Sequence, residues 1–385
     1  MLKSPIHIIA LLMLCTLFSC QEGYLAEKGW NRKVEKEING MIREYGSGSK
    51  GYDSLQKPYA VFDFDNTTII NDIEMTLLVH QINRMAFEIH PEEMFSLLTD
   101  CLDDLDKPLG LEGSEQVTAR MLATDIAADY RAIRALPEET DLSGTDAFLD
   151  FRAKMRALYT GVENTYDYAA ACLWIINLFK GMTPEEVKAL TRESVDHWLS
   201  FGGMKEWTWT SPDRGEAGCI RARFHVGLAL TDEMKELYKV LSDNGFDVYV
   251  CSASMEDIVE TMACDPAYGL GLPEDHVFGL RLMKDTAGRF LPAYDPSYIQ
   301  TFKEGKVKAI RSYMAPAQGG ADPLLVAGDS NGDYAMLTAF DGMKVGLIID
   351  AGAGKPLSDL SMQAKDRSSR YCLQARNAPE GVLVP

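Results

Sequence analysis

Two aspartates stand one residue apart in residues 59–68, directly after a short apolar run. Side chains at alternate positions of an extended backbone point to the same side, so the carboxylates of Asp63 and Asp65 can face one site. Two like charges this close are costly unless a cation or a shared proton offsets them. The spacing therefore predicts either a bound divalent cation or one carboxyl kept protonated. An Asp-rich turn at the end of a strand is the structural alternative.

Polar residues follow two later apolar runs in the same way. Ser252 ends one of them, and Asp329 ends the other, with Asp333 in the next turn of the chain. Lys306 lies between them in sequence, near the start of a predicted helix. In an open α/β sheet, ligands bind outside the carboxyl ends of the strands. Carboxylates, a hydroxyl and a lysine at this edge are the groups that a phosphate-transfer site with an oxygen-coordinated cation requires.

The elements that must position these residues form two regions. From residue 225 to 385 the pattern alternates between buried strands and helices, which predicts an α/β fold with a parallel sheet covered by helices on both faces. Residues 73–224 have mostly helical periodicity, including a helix start with Thr183 as cap and Pro184 in the first turn. We therefore predict a catalytic core made of residues 52–72 and 225–385, with a large, mostly helical domain inserted at 73–224.

The N-terminal segment is predicted to be an export signal. Residues 1–19 combine a basic start with a short apolar run, and residues 17–20 resemble a bacterial lipoprotein cleavage box that ends in Cys20. The resemblance implies a lipid on Cys20 and a location in the bacterial periplasm or outer membrane. Residues 20–51 are then predicted to be a tether with one amphipathic helix. The six cysteines beyond Cys20 show no disulfide framework, so both disulfides and free thiols stay open.

The chain of 385 residues is long enough for two domains, and its formal net charge is −19. Such an acidic protein is poorly suited to nucleic acid or to an anionic membrane surface. We therefore expect a small-molecule partner and no contact with the membrane beyond the lipid anchor. The sequence does not predict an oligomeric state.

Four short motifs in order give the chain a resemblance to the haloacid dehalogenase superfamily. Residues 63–67 resemble its first motif, DxDxT, and Ser252 resembles the second, a hydroxyl residue after a hydrophobic strand. Lys306 resembles the third motif, although Lys303 and Lys308 are close to it in sequence. Residues 328–333 resemble the fourth motif, GDxxxD. The resemblance implies a Rossmann-like core, with the insertion as a cap between the first and second motifs.

The resemblance also implies the roles of the acidic residues. Asp63 would attack phosphorus and form an aspartyl phosphate. Asp65 would protonate the leaving group and then activate the water that hydrolyses the intermediate. Mg²⁺ would be held by Asp63, by the backbone carbonyl of Asp65 and by Asp329. Because Asp65 supplies an acid two residues after the nucleophile, phosphate ester hydrolysis is favoured over dehalogenation.

The same resemblance implies the phosphate-binding groups. Ser252, Ala253 and Lys306 would hold and neutralise the phosphoryl oxygens. Asp333 would orient Lys306 or a water molecule bound to the metal.

The sequence indicates the class of substrate but not the individual compound. A cap in this position implies a small substrate enclosed away from solvent. Several segments resemble phosphoserine phosphatases and, more closely, bacterial phosphorylcholine phosphatases, whose substrates carry a cation. Asp72 and Glu74 are the predicted partners of that cation, with the first turn of a helix as their structural alternative. Trp207 and Trp209 are candidate aromatic faces for an ammonium group.

We thus predict a Mg²⁺-dependent phosphatase for a small phosphomonoester of the phosphorylcholine or phosphoserine type. The alternatives are a phosphatase or phosphotransferase for nucleotide or sugar phosphates, and a binding lipoprotein that keeps the fold without catalysis. The complete carboxylate set argues against the last alternative, because binding alone does not require it.

Overall fold

The computed structural model describes residues 24–385. The strands in this part of the chain are β1 (Tyr59–Phe62), β2 (Lys205–Thr210), β3 (Arg221–Val226), β4 (Asp247–Met255), β5 (Val277–Leu280), β6 (Leu282–Lys284), β7 (Phe290–Tyr294), β8 (Leu325–Gly328), β9 (Val345–Ile349), β10 (Tyr371–Asn377) and β11 (Val382–Val384). The α-helices are α1 (Arg32–Tyr45), α2 (Ile73–Arg84), α3 (Met94–Thr99), α4 (Ala119–Arg134), α5 (Asp146–Thr165), α6 (Tyr168–Asn177), α7 (Pro184–Leu199), α8 (Asp232–Asp243), α9 (Glu256–Ala263), α10 (Glu304–Ala309), α11 (Tyr334–Thr338) and α12 (Leu357–Gln363).

A seven-stranded sheet forms the core, in the order β11-β10-β9-β8-β1-β4-β5. Its strand pairs are parallel except for β10 and β11, which are antiparallel. Every residue of β1, β8 and β9 is buried, as expected for strands covered by helices on both faces. The predicted α/β core with an inserted, mostly helical region is therefore confirmed.

The inserted range 73–224 contains helices α2 to α7 and one element that the helical prediction missed. This element is the antiparallel pair β2–β3, in which the burial of β3 alternates strictly along the strand. Helix α7 begins as predicted, with a reciprocal capping interaction between Thr183 and Glu186. Helices α4 and α5 pack against each other along this range.

Two predicted elements of the core have different bounds in the structure. Strand β4 continues through Met255, so Ser252 lies within the strand instead of after it. The turn residues 285–288 are typical of a hairpin, and this hairpin is formed by β6 and β7, whereas β5 belongs to the central sheet. Helix α10 continues into a π-helical turn at Ile310–Met314.

Residues 24–46 are packed against the core, so this part of the predicted tether is not a free linker. The apolar stripe of α1 is buried, and the helix lies against β9 and β10. Trp30 is also buried, and the backbone amide of Asn31 donates to the side chain of Gln374 at 2.8 Å. An amphipathic helix gains stability by covering an apolar surface, and the sheet offers that surface here.

Two further predictions concern the chain as a whole. The six cysteines of the described residues are all unpaired thiols. None of the helices in residues 24–385 has the length and apolar composition needed to cross a bilayer. The signal peptide and the lipid on Cys20 lie outside the described residues and stay predictions.

Candidate active site

The central strand β1 delivers the first aspartate to the edge where its neighbours end. Phe62 pairs with Val250 of β4 on one side and with Ala327 of β8 on the other. The backbone amide of Asp63 donates to the carbonyl of Ala327 at 3.0 Å, which holds the first residue after the strand in register. This pairing brings three segments to one place: the residues after β1, the residues after β8 and the last residues of β4.

Lys306 joins two of the predicted aspartates. Its Nζ donates to Oδ1 of Asp63 at 2.7 Å and to Oδ1 of Asp333 at 2.6 Å, and all three side chains are buried. Burial opposes the charge of Lys306, but the carboxylates of Asp333 and Asp63 outweigh it and raise the pKa of the lysine. Of the three lysines that are close in sequence, Lys303, Lys306 and Lys308, Lys306 is the one at the centre of the site.

Asp333 has both oxygens occupied by the protein. Its Oδ2 accepts the backbone amides of Asp329 at 3.1 Å and Ser330 at 3.0 Å, together with the Ser330 hydroxyl at 3.1 Å. Because Oδ1 accepts from Lys306, this carboxylate fixes both the lysine and the loop after β8. The arrangement suits the predicted orienting role.

The donor set fits a divalent cation. Carboxylate oxygens of Asp63, Asp329 and Asp333 lie within 4.8 Å of one another. Burial and the charges of Asp333 and Asp63 raise the pKa of Asp329 well above its ordinary value, although Thr67 donates to its Oδ1 at 3.1 Å. Lys306 alone does not balance three carboxylates, and buried oxygen ligands are those that Mg²⁺ prefers. With Asp333 engaged elsewhere, Asp63 and Asp329 are the side chains that would hold the ion.

Asp65 has a different environment from Asp63. Its Oδ1 accepts the backbone amide of Ile73 at 2.7 Å, and its Oδ2 accepts the Ser254 hydroxyl at 2.6 Å. Burial, followed by the charge of Asp72, raises the pKa of Asp65 to about 8. A carboxyl that holds its proton near neutral pH can act as a general acid. Burial likewise raises the pKa of Asp63 to about 7, with Asp333 adding to the effect and Lys306 opposing it.

The predicted phosphate-binding segment at the end of β4 contains one residue that the prediction had not assigned. Ser252 is fully buried, and its hydroxyl lies 3.4 Å from Asp65 and accepts the Ser254 amide at 3.1 Å. Ala253 and Ser254 line the cavity described below. Ser252 and Ser254 share one side of the extended strand, and this alternation was the signal for Ser254 in the sequence.

A cavity of about 520 Å³ lies over the catalytic carboxylates, between the core and the inserted region. Its core side includes Asp63, Asp65, Lys306 and Asp329. The volume is within the range of small-molecule sites. The inserted region therefore covers the site as a cap does.

Three carboxylates line the cap side of this cavity. Asp72 caps helix α2 by accepting the Met75 amide at 2.8 Å, and Glu74 accepts the Met255 amide at 2.5 Å. Burial raises the pKa of Asp72 to about 6 and that of Glu74 well above its ordinary value. Glu163, which the sequence analysis did not single out, is the third. Both predicted residues thus reach the cavity, although Asp72 also fills the structural role of a helix cap.

Aromatic residues of the cavity come from α5 and α6 instead of the predicted tryptophans. Tyr159 and Tyr168 line the cavity, and Tyr159 shares one face of α5 with Glu163 four residues on. That spacing was visible in the sequence, but it resembled an ordinary amphipathic helix.

The prediction that Trp207 and Trp209 line the site is wrong. Both lie on the hairpin strand β2. Trp207 packs against Trp198, and Trp209 packs against Phe224. The hairpin uses these indoles to cover the helices of the cap, and the described lining of the cavity contains neither of them.

Fold and site together define the class of protein. The model of haloacid dehalogenase-like hydrolases matches residues 210–338, which contain Ser252, Lys306, Asp329 and Asp333. Asp63 precedes the matched range because the cap separates the first motif from the rest. Residues 210–338 therefore form a haloacid dehalogenase-like hydrolase domain, and this match together with the phosphatase relative described below supports a phosphatase of this family.

Two individual proteins are similar over most of the chain. A phosphorylcholine phosphatase from Pseudomonas aeruginosa is 25% identical over 324 residues, which are 78% of this chain and 74% of that protein. A protein of unknown function from Anaerococcus prevotii DSM 20548 is 32% identical, and its crystal structure covers 94% of this chain and 97% of its own with a TM-score of 0.88. The latter shows that the core and the cap occur together in a solved structure.

Proposed function

We propose that the protein is a Mg²⁺-dependent phosphatase that hydrolyses a small phosphomonoester with a cationic leaving group. The observation that carries the proposal is the arrangement of three side chains beside a cavity of about 520 Å³. Asp63 and Asp329 follow the adjacent strands β1 and β8, and Lys306 of α10 donates to Asp63 at 2.7 Å. The similarity to a phosphorylcholine phosphatase supports the choice of leaving group.

The proposed reaction has two steps. In the first, an oxygen of Asp63 forms a bond to phosphorus, the ester bond breaks, and the leaving oxygen takes the proton of Asp65. In the second, Asp65 accepts a proton from water while the water oxygen attacks phosphorus, and the bond from phosphorus to Asp63 breaks. A magnesium ion held by Asp63, Asp329 and the backbone carbonyl of Asp65 would supply positive charge to the phosphoryl oxygens. The raised pKa of Asp65 supports its role as the proton donor.

The substrate proposal rests on carboxylates that line the cavity but have no role in the proposed phosphate transfer. Asp72, Glu74 and Glu163 line the cap side of the cavity, and Tyr159 adds an aromatic face. Carboxylates and aromatic faces are the two features that bind an ammonium group. A bound cation would favour the charged form of Glu74, whose pKa is raised by burial in the described structure.

The catalytic assignment is tested with p-nitrophenyl phosphate in the presence and absence of Mg²⁺. We expect activity only with the ion, and we expect Asp63→Asn to lower kcat by more than about a thousandfold, because the nucleophile is removed. The control is Asp359→Asn on helix α12, where an exposed ion pair with Lys355 contributes little. Full turnover in Asp63→Asn would exclude the proposed mechanism.

The substrate assignment is tested with phosphocholine, phosphoethanolamine, phosphoserine, nucleoside monophosphates and sugar phosphates. We expect the substrates with a cation to have the highest kcat/KM. Glu74→Gln keeps an acceptor for the Met255 amide but removes the charge. It should raise KM for phosphocholine about tenfold while changing KM for p-nitrophenyl phosphate less than about twofold. A preference for uncharged sugar phosphates would favour the alternative substrate class.

A further inference from the structure

Lys303 has a backbone conformation that is unfavourable for a lysine. It precedes α10 with φ +48° and ψ −122°, outside the regions that side-chain-bearing residues ordinarily occupy. Glycine adopts such angles without strain. The turn has little room to relax, because a Cβ on Gly305 would lie 1.9 Å from the carbonyl oxygen of Gln300. Strained residues are concentrated at functional sites, which makes the side chain of Lys303 a candidate for a role there.

The side chain of Lys303 lies at the catalytic cavity. It is part of the cavity lining, and its Nζ is 4.9 Å from the centroid of the Tyr168 ring. Within residues 24–385, no carboxylate lies within ion-pair distance of this ammonium group, whereas Lys306 is bound by two. An aromatic face holds a cation without neutralising it, so the charge of Lys303 stays available to a ligand.

Tyr168 connects this lysine to the cap. It is the first residue of α6, and its ring meets Phe302 edge-on at 6.2 Å between centroids. Its hydroxyl lies against the loop after β8, since a Cβ on Gly332 would be 3.5 Å from it. Tyr168 thus touches the two core loops that flank the catalytic carboxylates, and it places Lys303 between cap and core.

The cavity contains more carboxylates than cations, so a further cation there would help to bind a phosphoryl group. An arriving phosphoryl group meets several carboxylates, and the charge of Lys306 is already engaged with Asp63 and Asp333. We propose that Lys303, held by Tyr168, is a second phosphate-binding cation of the site, which captures the phosphoryl group of the substrate and retains the phosphate product. This inference rests on the proposed function, and it adds a residue that the four motifs do not include.

The experiment measures phosphate affinity and thermal stability of the full-length, Mg²⁺-loaded protein. Lys303→Gly should raise the Kd for inorganic phosphate about tenfold, measured by calorimetry, because a charge-assisted contact is lost. The same variant should raise Tm by about 2 °C, because glycine relieves the backbone strain. Affinity and stability therefore change in opposite directions, which a purely structural lysine would not produce.

Further variants separate charge, backbone and position. Lys303→Met keeps the strained backbone and the length of the side chain, so it should lose affinity without gaining stability. Lys303→Arg should retain most of the affinity, and Tyr168→Leu should lower it about threefold by releasing the lysine. The matched control is Lys308→Ala, an exposed lysine in the helix α10 that follows Lys303, which should change neither quantity.

The outcomes are decisive for this residue. Unchanged phosphate affinity in both Lys303→Gly and Lys303→Met would overturn the proposal, whatever happens to Tm. With p-nitrophenyl phosphate, the expected change is a higher KM at a kcat within about threefold of the parent. Phosphate binding that depends on Lys303 in a protein without turnover would instead refute the proposed function and leave this site intact.

Discussion

The aspartates of the site have identical side chains, but their hydrogen-bond partners and surrounding charges differ. Asp333 is saturated by Lys306 and by backbone amides, so it can only orient other groups. Asp63 shares Lys306 but also faces the cavity, where it can reach phosphorus. Asp65 lies beside neutral donors and another acid, which keeps its proton available near neutral pH. These contacts support the proposed division into nucleophile, proton carrier and orienting residue.

Asp329 differs from the others because a single hydroxyl supports it. Thr67 donates to its Oδ1 at 3.1 Å, and both side chains are buried. We expect Thr67→Val to weaken Mg²⁺ binding about tenfold, because outer contacts orient metal ligands. The Mg²⁺ concentration for half-maximal activity would rise, while kcat at saturating Mg²⁺ would change little. A large loss of kcat at saturating ion, with unchanged Mg²⁺ affinity, would show that Thr67 serves another purpose.

Among the elements, the end of β8 is packed closely against the loop that follows it. A Cβ added to Gly328, the last residue of β8, would lie 2.5 Å from the Cβ of Asp333. Gly328→Ala must displace the aspartate that fixes Lys306, so we expect a loss of about 1–3 kcal/mol of stability. The activity should fall at least about tenfold as Lys306 loses its partner.

The matched control for this glycine is Gly354→Ala in the loop after β9. A Cβ there has no neighbour within 4 Å, and its φ is not in the left-handed region. Chemical denaturation and kcat/KM of the two variants give the comparison. Equal behaviour of both variants would mean that the Asp333 loop can adjust without cost.

The elements that the sequence predicted best are those with a single periodicity. The short apolar runs of β1, β8 and β9 indicate fully buried strands, and the capping residues of α7 indicate where that helix begins. The hairpin β2–β3 was missed because two tryptophans in a helical region were interpreted as ligand contacts instead of strand packing. Its alternating pattern in residues 221–226 was visible but short.

The site was predictable where residues follow strands of the sheet and unpredictable where the cap supplies them. Asp63, Asp65 and Asp329 were found because the parallel sheet brings strand ends together, and Lys306 was found because it resembles the third motif. Glu163 comes from a helix whose rotation over the site depends on packing within the cap, which periodicity alone does not define. The conformation of Lys303 has no signature in the sequence, since nothing in its neighbours requires a positive φ.

At the scale of the whole molecule, the catalytic cavity lies between core and cap, so the rigidity of the cap affects the site. The cap interior contains a buried charged cluster, far in sequence from the motifs. Lys154 donates to Asp125 at 2.8 Å and to Asp150 at 2.9 Å, and Arg214 contacts Asp129 at 3.0 Å. This cluster ties helices α4 and α5 to the turn of the β2–β3 hairpin.

The cluster contains more carboxylates than it can neutralise, which predicts a dependence of stability on pH. Burial, followed by a hydrogen bond and charge from Asp150, raises the pKa of Asp129 to about 8, although Arg214 and Lys154 oppose this shift. An unfolded Asp has a pKa of about 3.9, so between about pH 4 and pH 8 the folded protein binds more protons than the unfolded protein. The contribution of Asp129 to the free energy of unfolding therefore falls as pH rises through this window and is constant above it.

Asp129→Asn tests this origin of the pH dependence, because the amide resembles the protonated acid and cannot ionise. The variant should have the same Tm as the parent near pH 4 and a Tm about 2–4 °C higher at pH 9, measured by scanning calorimetry. The exposed variant Asp359→Asn should follow the parent at every pH. If the contact with Arg214 dominates instead, the ionised Asp129 is the stabilising form, and Asp129→Asn would have the lower Tm at pH 9. A higher Tm of Asp129→Asn at pH 9 would thus show that the protonated form of Asp129 stabilises the cap. A lower Tm would show that the ion pair of Asp129 with Arg214 stabilises it.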